Sequence, residues 1–302
     1  MQSAASGRQS EDGLKALRDL KYSAPAAAVA RCYYTLRCRS VERLIFTATT
    51  GRSGTLTLTR IFDKITGCRA LHEPYPVMND EALRAANYGD SDALDRFYRT
   101  KSINILRAAA GYQYYLEANH LFIKTFVAHA AREFGDRLAV IHLVRPVLEV
   151  ATSIYRLHRQ PGTESGNRWW LDYRAPLNRI RIADALEGEY SHPFYKGLWY
   201  WFEIETRVQE WRQRLPAVPF VRFETAWFNK PQRLVILAKE LGITVDSRQI
   251  ESLVGVKEHT REHMKIPALQ PDEAQRMFER FLDLLRRRCP AAAAAHAGGE
   301  TI

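Results

Sequence analysis

The sequence offers little from which to build staples or metal sites. Its 302 residues include only four cysteines. Cys32, Cys38, Cys68 and Cys289 are scattered, with no C-x-x-C pair and no histidine at metal-ligand spacing. That scatter argues against a disulfide framework and a zinc site, and reads as reduced thiols in a cytoplasmic protein. Long apolar runs are also missing. Residues 1–13 are small and polar, so no secretory leader is expected, and no stretch reaches the roughly 20 apolar residues of a membrane span. The short Pro25–Ala30 run reads as part of a helix that packs on the domain. No internal repeat is visible. Charge blocks are absent too, although 44 Lys and Arg against 34 Asp and Glu leave a net charge of +10. Spread along the chain, that excess fits a concave anionic site better than a nucleic-acid-binding arm.

What is present is an ordinary globular composition, 46% apolar and 26% charged, in a chain long enough to bury a core unaided. Arg43-Leu44-Ile45-Phe46-Thr47-Ala48 reads as a first strand. Leu56, Leu58, Ile61, Phe62 and Ile65 share one face of a helix that starts after Gly54 and stops at Gly67. Cys68–Glu73 reads as a second strand, closed by Pro74 and Pro76. Residues 77–120 read as largely helical. Leu121–Thr125 reads as a third strand, followed by a helix near Ala128–Phe134. Leu138–Val144 is a near-continuous apolar run, the pattern of a strand buried on both faces of a parallel sheet. A helix is expected from Pro146 to His158, an irregular lid over 160–193, a helix over Lys196–Leu215, a strand at Pro219–Phe223 and a helix from Pro231. This alternation predicts a three-layer α/β/α sandwich with a central parallel sheet, in which ligands bind at the carboxyl ends of the strands.

The turn after the first strand, Thr49-Thr50-Gly51-Arg52-Ser53-Gly54-Thr55, has the composition of an anion cradle. Two glycines let the backbone N–H groups point inward, a helix N-terminus adds partial positive charge, and Arg52 adds a full one. It departs from the G-x-x-x-x-G-K-[ST] pattern of nucleotide triphosphatases. Thr55 stands at the lysine position, Leu56 at the magnesium-binding hydroxyl and Thr49 at the first glycine, which disfavours a magnesium-dependent kinase or ATPase. A second anion-binding pair follows the fourth strand: Arg145 at its end and Ser153 eight residues on, in the next helix.

Together these segments resemble the PAPS-dependent sulfotransferases, where PAPS is 3′-phosphoadenosine 5′-phosphosulfate. Thr50-Gly51-Arg52-Ser53-Gly54-Thr55 is similar to the family's 5′-phosphosulfate loop. Leu143-Val144-Arg145-Pro146 with Ser153 resembles its 3′-phosphate motif, and Phe223-Glu224 a further landmark, all in family order over residues 43–241. The resemblance implies a fold like that of P-loop NTPases, PAPS as co-substrate, PAP (the bisphosphate left after transfer) as product, and no metal. It assigns Thr50, Gly51, Arg52, Ser53, Gly54 and Thr55 to the 5′ end of the nucleotide, and Arg145 and Ser153 to the 3′-phosphate.

For the base, cytosolic members carry a Lys-Thr-His run after the third strand, where this chain reads Lys124-Thr125-Phe126. Phenylalanine accepts no proton. The His72-Glu73-Pro74 turn resembles instead the carboxylate-bearing turn of carbohydrate and bacterial members. It implies Glu73 as general base, His72 as an orienting or substitute group, and Lys124 as stabiliser of the transferring charge. His129 is a rival base, more simply read as structural, and His142 is read as a core histidine. The acceptor, a small molecule or carbohydrate, is expected against residues 74–120 and 160–195, with Tyr112, Tyr114, Tyr115, Trp169 and Trp170 as an aromatic wall. Gly255–Arg261 stands where the family has a nucleotide-covering loop, without that loop's R-K-G-x-x-G-D-W form. The expected organisation is a helical extension over 1–40, the sulfotransferase domain over 41–288 and a disordered tail over 289–302. A nucleotide kinase of related fold and a non-catalytic nucleic-acid-binding protein are the alternatives.

Overall fold

The computed structural model describes residues 24–245 and 266–297. Helix α1 (Ala24–Arg37) precedes β1 (Arg43–Ala48), α2 (Thr55–Phe62), β2 (Cys68–His72), α3 (Asp80–Tyr88), α4 (Ser91–Ala109) and β3 (Tyr114–Ala118). Then come α5 (Phe122–Thr125), α6 (Val127–Phe134), β4 (Leu138–Val144), α7 (Val147–Arg156), α8 (Glu164–Asn167) and α9 (Ala183–Glu187). The chain continues through α10 (Pro193–Arg214), β5 (Phe220–Glu224), α11 (Pro231–Glu240), α12 (Pro271–Arg288) and α13 (Pro290–Ala297).

The strands form one parallel sheet in the order β2-β3-β1-β4-β5. Its two faces follow from the period-2 alternation of side chains. Leu44, Phe46, Leu138 and Val140 face one apolar layer, which also takes α4, α7, α10 and α12. Ile45, Ala139, Ile141 and Leu143 face the other, against Leu58, Ile61 and Phe62 of α2 and Leu234 and Leu237 of α11. All seven residues of β4 are buried, as its apolar run predicts. β1 lies in the middle, with β2 and β3 to one side and β4 and β5 to the other. The winding therefore reverses at its carboxyl end, the position at which open α/β sheets bind ligands.

Three expectations need correction. The third strand is Tyr114–Ala118, and Leu121–Thr125 is helical. The reason is Asn119: its side chain accepts the backbone N–H of Leu121, and its own N–H is taken by Thr47 Oγ1 on β1. The strand thus ends there, and a local cap outweighs the β propensity of Leu-Phe-Ile-Lys-Thr. The 160–195 segment is not a loose lid. Leu171, Ile180 and Ile182 are fully buried, and Glu203 of α10 accepts the N–H groups of Arg179 and Ile180. The Ala-rich run after Cys289 forms α13, which buries Ala292 against α10 and α12.

Candidate active site

The turn after β1 has the backbone of a cradle. Gly51, Arg52 and Gly54 have φ of +82°, +58° and +75°, the left-handed region that glycine enters without steric cost. Neither glycine has room for a side chain. A Cβ on Gly51 would lie 3.1 Å from His120 Cγ and from Trp170 Cζ3, and one on Gly54 2.8 Å from Phe228 Cε2. The Thr50 and Ser53 hydroxyls both donate to the Gly51 carbonyl, and the Tyr200 hydroxyl donates to the Thr50 carbonyl. The Gly54 carbonyl accepts from Leu58 N–H, so α2 starts directly from the turn.

The two segments expected to hold phosphates meet at Arg52. Its Nε donates to Ser153 Oγ (3.2 Å), and its carbonyl accepts from Arg145 Nη1 (2.6 Å). Arg145 also pairs with Glu149 through Nε at 2.9 Å. Pro146 caps α7 and sets Ser153 on the face turned toward the cradle. These residues line one cleft of about 1340 Å³, together with Arg156 and Arg159. Its charge is thus concentrated where two strand ends meet.

The opposite wall comes from β2 and β3. His72 Nε2 lies 3.0 Å from Thr55 Oγ1, and burial pulls its pKa down. Glu73 has φ of +44°, a strained value for a non-glycine residue. Its carboxylate reaches His120 Nε2 at 3.3 Å. Burial raises the Glu73 pKa, with Lys124 pulling the other way. His120, two residues past the end of β3, is buried and lines the cleft, and burial drives its pKa well down, helped by Lys124.

Reading the strand at 121–125 hid His120. With the strand at its true place, His120 is the histidine that follows the third strand, and the signal was the Asn119-His120 pair after Tyr-Tyr-Leu-Glu-Ala. Lys124 is not at the cleft wall. It lies behind His120, bonded to His120 Nδ1 (2.7 Å), the Trp169 carbonyl (2.7 Å) and Tyr200 Oη (3.0 Å). Of the expected aromatic wall, Trp169 and Trp170 line the cleft. Tyr114 and Tyr115 are fully packed within the sheet layers and Tyr112 is exposed, none of them in the cleft. His129 pairs with Asp95, and His142 with Glu205 in the core. Gly255–Arg261 lies outside the described residues.

Beneath this wall sits a buried network. Lys101 Nζ contacts Glu117 Oε1 (2.7 Å) and donates to the Pro74 carbonyl (2.9 Å), while Asn119 and Tyr115 donate to the Glu117 carboxylate. It ties the turn carrying Glu73 to the strand end carrying His120. Among the described residues no three His, Cys, Asp or Glu side chains are grouped to hold a metal ion, no helix is long and apolar enough to cross a membrane, and Cys32, Cys38, Cys68 and Cys289 are unpaired.

A five-stranded parallel sheet with an anion cradle at the end of its central strand defines a nucleotide-binding α/β architecture. The chain matches no protein-family model and no curated protein sequence. Among solved structures it is similar to a mouse sulfotransferase complexed with PAP, at 15% identity and a TM-score of 0.47 over 85% of this chain and 89% of that one. A sulfotransferase from Mycobacterium tuberculosis gives 16%, 0.44, 83% and 80% for the same quantities. The sulfotransferase domain of a Synechococcus olefin synthase gives 13%, 0.44, 79% and 94%. These are similarities of fold, and the functional reading rests on the site.

Proposed function

We propose that the protein is a sulfotransferase that moves the sulfuryl group of PAPS to a hydroxyl or amine of a small-molecule or carbohydrate acceptor in the cytoplasm. The observation that carries the reading is the meeting at Arg52. One cleft holds a glycine turn with no room for side chains and, bonded to that turn, the Arg145 and Ser153 pair. A nucleotide with phosphate groups at both its 5′ and 3′ ends fits that pairing of donors. In this reading the backbone of residues 51–55, with the Thr50, Ser53 and Thr55 hydroxyls, takes the 5′-phosphosulfate. Arg145 and Ser153 take the 3′-phosphate, which favours PAPS over ATP.

Glu73 is the general base, and its setting suits the task, since burial brings a carboxyl closer to neutral pH. It accepts the acceptor's proton as the acceptor oxygen or nitrogen forms its bond to sulfur. The bond from sulfur to the 5′-phosphate oxygen breaks, its electron pair stays on that oxygen, and PAP leaves; Glu73 then loses its proton to water. His72 steadies Thr55 at the mouth of the turn. Arg52 stands against the charge that grows on the departing oxygen.

Thermal shift and calorimetry with PAP, and with ATP plus magnesium, test the reading before any acceptor is known. Stabilisation by PAP, followed by transfer from labelled PAPS to a member of an acceptor panel, is the expected result. Stabilisation by ATP with magnesium alone would favour a kinase. Binding of oligonucleotides without PAP binding would favour a nucleic-acid partner, and either outcome overturns the proposal.

A further inference from the structure

We infer that Lys124 is a positioning residue for the base: its ammonium fixes His120 in the tautomer that carries its proton on Nε2 and donates it to Glu73. The catalytic consequence rests on the sulfotransferase reading; the contact itself does not.

The inference follows from counting protons. Lys124 Nζ has three neighbours within hydrogen-bond distance and, as an ammonium, three N–H donors. The Trp169 carbonyl can only accept. The Tyr200 hydroxyl already donates its proton to the Thr50 carbonyl at 2.8 Å, so toward Lys124 it accepts. The third N–H falls to His120 Nδ1, which must then be bare. A neutral imidazole with a bare Nδ1 carries its proton on Nε2, 3.3 Å from Glu73 Oε1. Each donor has one acceptor, and Glu73 is the anion at the end of the line.

One other arrangement uses the same number of protons: a neutral amine at Lys124, the proton on Nδ1 of His120, and a protonated Glu73. It differs by two proton shifts through the ring and leaves Glu73 unable to act as base. The surroundings favour the charged form. Lys124 Nζ lies 5.3 Å from the Trp170 ring centroid and 5.4 Å from that of Tyr200, within cation–π range of both. Burial works against that charge and pulls the Lys124 pKa well down, with Glu73 raising it and Arg207 lowering it. Around His120 the other charged or titratable neighbours are His72 and Arg52.

Lys124 thereby keeps His120 from taking the proton and holds Glu73 ionised in a buried wall. The site needs both: a histidine after the third strand that orients, and a carboxylate after the second that reacts.

The test is nitrogen-15 NMR of histidine-labelled protein, ligand-free and with PAP, with the His120 resonances assigned by comparison with His120→Asn. The expected pattern is an unprotonated Nδ1 and a protonated Nε2. The reverse pattern in the wild-type protein overturns the inference without any mutant. In Lys124→Met the fixed tautomer gives way to a mixture, and kcat falls about 10-fold or more while PAP affinity holds, a partial loss of what a positioned base contributes. A folded Lys124→Met protein with the wild-type tautomer also overturns it. If the wild-type protein binds no PAP by calorimetry, the sulfotransferase reading fails, and the ligand-free spectrum still decides the role of Lys124.

Discussion

Replacing Gly54 with alanine tests whether the cradle has the shape on which the functional reading depends. Two costs add. Gly54 has φ of +75°, where a Cβ meets its own backbone and an L residue loses about 1–2 kcal/mol. The new Cβ also lies 2.8 Å from Phe228 Cε2. The Phe228 ring is not free to swing, because it packs edge-on against Phe223 with centroids 5.3 Å apart. Overpacking of this kind costs about 1–3 kcal/mol. Gly54→Ala is therefore expected to lose about 2–5 kcal/mol in urea unfolding with an unchanged m-value, and to weaken PAP binding because the turn must shift. Phe228→Ala separates the two costs. The double variant removes the clash and keeps the φ penalty, so the cycle returns a coupling of about 1–3 kcal/mol in its favour. A loss below about 0.5 kcal/mol for Gly54→Ala, or strict additivity in the cycle, would refute the argument.

Glu73→Gln should lower kcat by about 100-fold or more with PAP affinity retained, and full activity would remove Glu73 as the base. The wild-type kcat/KM should rise with pH through the Glu73 pKa, which burial holds above its ordinary 4.5. A raised folded-state pKa favours folding fully below pH 4.5, and that contribution fades as pH rises through the folded value, so the stability of Glu73→Gln relative to wild type should improve from acid to neutral pH. Lys101→Met strands the buried Glu117 carboxylate and should cost about 3–5 kcal/mol in denaturant unfolding. Lys101→Met with Glu117→Leu should recover part of that loss; a harmless single substitution would show that the pair does not anchor the wall.

How much of this was legible from sequence depended on where local signals stood alone. β1, the cradle and β4 were readable because an apolar run, a glycine turn and a helix face agreed at each step. Arg145 and Ser153 were readable because β4 ends abruptly at Pro146. The error fell where two signals competed. Tyr114–Ala118 includes Glu117, a charge that sequence alone places outside a core strand, whereas Leu121–Thr125 is apolar and β-branched. Glu117 is buried because Lys101, Tyr115 and Asn119 satisfy it, and all three partners are visible only in three dimensions. Shifting the strand by a few residues then hid His120 and moved Lys124 to the wrong side of it. Trp169 and Trp170 were recognised as wall residues, but nothing in their neighbourhood revealed that the segment carrying them packs into the core.

The cradle has no lysine, and the way Arg145 is held suggests what that changes. Arg145 makes two contacts: Nη1 to the Arg52 carbonyl at 2.6 Å, and Nε to Glu149 at 2.9 Å. The first ties it to the turn. The second places a carboxylate, 54% exposed, on the guanidinium that should meet a phosphate. An incoming anion must compete with Glu149 for Arg145 and approach its negative charge. Glu149→Gln removes that competition and leaves the Arg52 carbonyl to hold Arg145 in place. Exposed ion pairs are worth about 0.2–1 kcal/mol, so PAP affinity should rise by about 1.5- to 5-fold, with protein stability nearly unchanged. The gain should shrink as salt is raised, since the pair lies where ions screen it. Calorimetric titration at two ionic strengths measures both effects. Weaker binding in Glu149→Gln would mean that Glu149 preorganises Arg145, and that the Arg52 carbonyl alone does not hold the guanidinium where the phosphate needs it.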